Sequence, residues 1–79
     1  MNEFNLWLRA TRVKSGMTQQ EFADSLGLNS SQSIANIERG AAKFPIKHIP
    51  KLCEATKCSK HKIIMMLLRD YKKYLVERI

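Results

Sequence analysis

Between Met17 and Gly40 the chain reads MTQQEFADSLGLNSSQSIANIERG, and no other stretch restricts the possible folds as tightly. Thr18 and Glu21 stand three apart, the spacing of a capping box in which each side chain satisfies an otherwise unpaired amide of the other residue. Phe22, Ala23 and Leu26 then share one helical face. Gly27 supplies the left-handed turn that ends the first helix. A second helix can start after Ser30 as N-cap, carries Ile34 and Ile37 inward, and stops at Arg39-Gly40 with a cation followed by a glycine. Two short amphipathic helices joined by a tight turn are the expected result.

The small Ala23 suits a steep crossing of those helices, where a larger side chain would hold them apart. Opposite Ile34 and Ile37, the second helix shows Ser31, Gln32, Ala35, Asn36 and Arg39. This face is mostly short-chained, polar and free of carboxylates, as suits a surface that meets base edges in a DNA groove. Gln32 and Asn36 each carry the donor and acceptor that adenine presents at N7 and N6, and Ala35 can meet a thymine methyl. We therefore expect Ser31, Gln32 and Asn36 to read bases, with Ser30 and Ala35 at the margins and a bias towards A·T pairs.

Seventy-nine residues make one small domain, residues 1–79, which buries only about 60% of its unfolded surface and gains stability if it dimerises. No apolar run approaches the ~20 residues that span a bilayer, and the N-terminus lacks a basic segment followed by an apolar core. A cytoplasmic location is the expectation. Cys53 and Cys58 read as reduced thiols, buried or half-buried; with His61 they fall short of a zinc ligand set. His48 and His61 have no serine or carboxylate constellation, and no glycine-rich phosphate loop occurs. Neither catalysis, a metal nor any other cofactor is expected.

The net charge of +7 is unevenly placed. Up to Gly40, Arg9, Arg12, Lys14 and Arg39 balance Glu3, Glu21, Asp24 and Glu38. Beyond it, ten lysines and arginines face only Glu54, Asp70 and Glu77. The charge that displaces counterions from phosphates thus lies beside the reading helix, not in it.

The remaining pattern is all-α. Helix 1 is expected from Asn2 to Ser15, with Phe4, Leu8 and Val13 in the core, Trp7 flanking them and Gly16 ending it. Helix 4 should span Pro45 to Thr56 and bury Ile46, Ile49, Leu52 and Cys53, with Pro50 either kinking it or displacing its first turn. Ser59 should cap a long fifth helix running to about Glu77. Its apolar pattern continues past the core residues through Tyr71, Tyr74, Leu75 and Ile79. Residues 69–79 therefore form an extension that either folds back over helix 1, near Phe4 and Trp7, or contacts a partner.

Leu8, Arg12, the Thr18-Gln19-x-x-Phe22-Ala23 run, Gly27, Ile34, Ile37-Glu38-Arg39-Gly40, Pro45 and Leu52 together resemble the XRE-like helix-turn-helix family of phage Cro proteins and repressors. The resemblance covers about Leu8 to Leu68, with the helix-turn-helix itself at residues 18–39. It implies a compact five-helix bundle of the phage-repressor DNA-binding type, here with an extended C-terminal helix. It also implies an ion pair between Arg12 and Glu38, and backbone-phosphate contacts from Gln19 and from Lys43 and Lys47, which flank the loop into helix 4. Ser30 and Arg39 join that backbone set. From Gly27 to Ile34 this chain has one residue more than the shortest members, which leaves open which of Ser30, Ser31 and Gln32 enters the groove.

The function expected from these residues is sequence-specific binding of double-stranded DNA by a homodimeric repressor. The dimer would form through Tyr71, Tyr74 and Leu75, and its operator would be an inverted repeat with reading helices about 34 Å apart. The alternative is the antitoxin half of a toxin–antitoxin pair, its tail from Asp70 to Ile79 facing a protein partner. No membrane role is expected.

Overall fold

The computed structural model describes residues 2–79. Its elements are α1 (Glu3–Lys14), α2 (Gln19–Leu26), α3 (Ser31–Glu38), a 3-10 turn (Ile46–His48), α4 (Ile49–Thr56) and α5 (Lys60–Arg78), with no strand among the described residues. The all-α, five-helix architecture expected from the sequence is the one found.

Local chemistry sets most boundaries. Thr18 Oγ1 accepts from the Glu21 amide at 3.1 Å while Glu21 Oε1 accepts from the Thr18 amide at 2.8 Å, completing the capping box. Gly27 takes φ +72°, and the Leu28 amide reaches back to the Ala23 carbonyl at 2.9 Å. Ser59 Oγ accepts from the Lys62 amide at 3.1 Å and starts α5. Pro50 lies in the first turn of α4, where its missing N–H costs nothing, and the residues before it form the 3-10 turn. Of the two outcomes expected for Pro50, the displaced first turn is the one seen.

That displacement corrects one core assignment. Ile46 is 81% exposed, because the 3-10 turn takes it off the helical track that buries Ile49 and Leu52. Val13 is also exposed rather than buried, at the solvent side of the last turn of α1. Their place is taken by Phe44, a loop residue just before Pro45 whose burial the sequence pattern did not indicate. It is buried, with its ring edge-on to Phe4 at 5.7 Å. Around them Leu8, Phe22, Ala23, Leu26, Ile34, Ile37, Leu52, Ile63 and Met66 form one continuous core drawn from every α-helix.

The long α5 is tied to the start of α1 by side chains. Asp70 accepts from the amides of Glu3 and Phe4, both at 2.9 Å, and so caps α1 in place of Asn2, whose side chain makes no cap bond. Arg69 donates to both Glu3 oxygens, at 2.9 and 2.7 Å. This pairing holds the Glu3 carboxyl below its ordinary pKa and the Arg69 guanidinium above its own. Beyond Asp70 every residue to Ile79 is exposed. The extension thus meets the first turn of α1, at Glu3 and Phe4, through Arg69 and Asp70, and its remaining residues leave no side chain of their own buried.

Candidate nucleic-acid interface

The helix-turn-helix is positioned from beneath by a buried polar knot. Glu38 is only 4% exposed, and its carboxylate accepts from Arg12 Nε at 2.7 Å, Arg12 Nη2 at 3.2 Å and Gln19 Nε2 at 3.2 Å. Arg12 Nη1 donates further to the Met17 carbonyl at 3.0 Å. One carboxylate at the end of α3 thus links α1, the turn before α2, and the first residue of α2. Any tilt of α3 would break several charge-assisted bonds at once.

A second brace comes from Gln20, whose Oε1 accepts from the Ser31 amide at 3.3 Å. Ser30 occupies the N-cap position in extended conformation, but its side chain makes no cap bond. A side chain eleven residues earlier therefore supplies the acceptor for the first amide of α3. Gly27 is covered from above: a Cβ built there would lie 2.9 Å from Lys51 Nζ and 3.6 Å from His48 Nδ1. Lys51 accordingly places its charge at the C-terminal end of α2, the negative pole of that helix.

On the outer side, Gln32, Asn36 and Arg39 run along α3 as one bonded line. Gln32 Nε2 donates to Asn36 Oδ1 at 3.0 Å, and Arg39 Nη2 donates to the same oxygen. Gln32 and Arg39 are exposed and Asn36 is half-buried; Ser31 and Ala35 are half-buried beside them. Next to this line a shallow cleft runs between α3 and the segment leading into α4, lined by Asn29, Ser33, Asn36, Lys43, Lys47 and His48 among others, with no carboxylate. The exposed Lys43 and Lys47 therefore border the face that Gln32 and Asn36 present.

Every sequence-predicted residue has a definite place. Ser31, Gln32, Asn36 and Arg39 share the outward side of α3, and Lys43 and Lys47 border the adjoining cleft. Gln19 is different: its side-chain amide turns back to Glu38, and the residue itself, half-buried, opens α2. Gln20, Asn29, Ser33 and His48 were not singled out from the sequence. The Gln20–Ser31 contact has no local spacing signal, whereas the Gln32–Asn36–Arg39 line follows directly from i, i+3 and i+4 neighbours on a helix.

A family model described as helix-turn-helix matches residues 8–63. The chain belongs to the XRE-type helix-turn-helix family. As such it is a DNA-binding protein of the transcription-regulator kind, with α2 and α3 as the two helices of the motif. Among solved structures, its fold is similar to that of the clp gene regulator ClgR from Corynebacterium glutamicum, with a TM-score of 0.65 and 22% identity over 94% of this chain and 83% of that one. No curated protein matches it in sequence. No described helix is long and apolar enough to cross a membrane, and no three described His, Cys, Asp or Glu side chains converge as a metal site requires.

Proposed function

We propose that this helix-turn-helix protein is a dimeric, sequence-specific repressor that lays α3 in the major groove of an inverted-repeat operator. The observation that carries the reading is the pairing of two unlike surfaces. The outward side of α3 offers amides and a guanidinium with no carboxylate, and the cleft beside it is bordered by Lys43 and Lys47. Amides at base edges discriminate sequence, while lysines at phosphates supply affinity without sequence preference. Ser31, Gln32 and Asn36 are the base readers in this account. Gln19 through its backbone amide, Ser30, Arg39, Lys43 and Lys47 hold the sugar-phosphate chain.

The homodimer is proposed on the exposed stripe of α5. Tyr71 and Tyr74 stack at 6.3 Å with their planes 9° apart, Arg78 lies over the Tyr74 ring at 4.3 Å, and Leu68 and Leu75, exposed as well, share the Tyr71 face at i, i+3 and i+7 spacing. A cytoplasmic protein without cofactor or catalytic role completes the proposal. The same stripe supports the second reading, an antitoxin whose tail faces a protein partner.

Selection of bound sequences from random duplex DNA tests the proposal. An enriched inverted repeat with half-site centres one helical turn apart is the expected result. No enrichment at low salt overturns it. Enrichment of single half-sites by a protein that sediments as a monomer removes the dimer.

A further inference from the structure

We infer that Arg39 fixes the polarity of the two amides beside it, so that Gln32 is matched to adenine and Asn36 to guanine. The inference rests on the reading of α3 as the base-contacting helix. A guanidinium carries only donors, so the Asn36 atom that meets Arg39 Nη2 must be the oxygen. That same oxygen accepts Gln32 Nε2 at 3.0 Å, which fixes the orientation of the glutamine in turn. One cation at the end of the helix thereby sets which atom of each amide is committed.

The consequence lies in what remains uncommitted. Asn36 Oδ1 is occupied by two donors, and among the described residues Nδ2 makes no hydrogen bond; this side chain therefore presents donors alone. Gln32 has one Nε2 hydrogen committed and keeps the other, together with Oε1. It still offers a donor and an acceptor side by side. In the major groove adenine shows an acceptor at N7 and a donor at N6, whereas guanine shows acceptors at both N7 and O6. Gln32 satisfies the adenine edge. Asn36 can satisfy the guanine edge and cannot accept from adenine N6 while Arg39 holds its oxygen.

Arg39 is then a positioning residue, acting through Asn36. Without a donor at residue 39 the asparagine amide is released to rotate by half a turn, and adenine becomes acceptable at its position. A phosphate contact by Arg39 alone would change affinity and leave base preference where it was.

Selection from random duplex DNA with five proteins tests this: wild type, Asn36→Ala, Gln32→Ala, Arg39→Lys and Arg39→Met. The alanine variants identify the base pairs read by Asn36 and Gln32 as those whose preference disappears. Wild type is expected to favour guanine over adenine by about tenfold or more at the Asn36 position, and adenine at the Gln32 position. Arg39→Lys, still donor-only, keeps that pattern. Arg39→Met loses most of the guanine preference while its far-ultraviolet circular dichroism stays that of wild type, since residue 39 is exposed. Weaker binding by Arg39→Met with unchanged preference overturns the inference, as does adenine at both positions in wild type. No enrichment by wild type is a separate result, which removes sequence-specific binding itself.

Discussion

Replacing Glu38 with alanine should damage the fold before it damages any contact with DNA. The Arg12 and Glu38 side chains are 14% and 5% exposed, so their attraction is little screened by solvent. Alanine removes the acceptor for two Arg12 donors and for Gln19 Nε2, leaving the Met17 carbonyl against a guanidinium that can only partly reach water. Removing one partner of such a pair costs about 3–5 kcal/mol, and Arg12's residual exposure argues for the lower end. For a domain of this size about 3 kcal/mol corresponds to a fall of roughly 12–24 °C in Tm. It is also a large share of the roughly 4–12 kcal/mol that a 79-residue chain has in total. Thermal and urea denaturation followed by circular dichroism measure it. The Arg12→Met/Glu38→Leu double variant removes both charges together and should regain most of the loss, because an apolar replacement of a buried pair is often neutral. An unchanged Tm for Glu38→Ala refutes the reasoning, and so does a double variant whose loss is the sum of the singles.

Three further outcomes follow from the fold. Gly27→Ala should cost about 1–2 kcal/mol from the left-handed backbone alone, since the close Lys51 Nζ is the end of a flexible chain and can move aside. Gly16→Ala, at φ +73° with nothing within 4 Å, should cost the same; a much larger loss at Gly27 in chemical denaturation would show that packing dominates there. Asp70→Ala removes the acceptor for two amides of α1 and should cost about 0.5–2 kcal/mol, read as faster hydrogen exchange at Glu3 and Phe4; unchanged exchange there contradicts the capping role. In acid, Glu21 is held below its ordinary pKa, first by the Thr18 backbone amide and then by the Thr18 hydroxyl, and Glu3 by Arg69. Groups depressed in the folded state contribute stability above their unfolded pKa and lose it as pH falls through the folded one. Tm should therefore decline below the ordinary glutamate range, and less steeply in Glu21→Gln; equal slopes would contradict this.

The helix-turn-helix was legible because its determinants are local: a capping box, a left-handed glycine and two isoleucines three apart need no knowledge of the rest of the chain. The displaced start of α4 was legible as one of two outcomes for the same reason, since Pro50 acts on its own turn. Ile46 and Val13 were misplaced, and the burial of Phe44 was missed, because burial depends on where neighbouring elements lie. A 3-10 turn rotates Ile46 outward, and only the approach of α1 gives Phe44 a ring to pack on. The tie between Asp70 and the first turn of α1 crosses 66 or 67 residues and leaves no pattern in either segment. On the candidate interface, residue types pointed to Gln32 and Asn36, but which amide atom each commits is set by the position of Arg39 in three dimensions. The likeness to the XRE-like family placed Arg12 opposite Glu38, something neither residue's neighbours disclose.

On the proposed function, the side chains of α3 distinguish one DNA sequence from another. Its most direct test is the ratio of affinities for a selected operator and a scrambled duplex at one salt concentration, for wild type and for Gln32→Ala/Asn36→Ala. Wild type should bind the operator about a thousandfold or more tightly than the scrambled duplex. The double variant should lose most of that ratio while its affinity for scrambled DNA stays the same. A wild-type ratio near one, or a double variant that keeps the wild-type ratio, would contradict it.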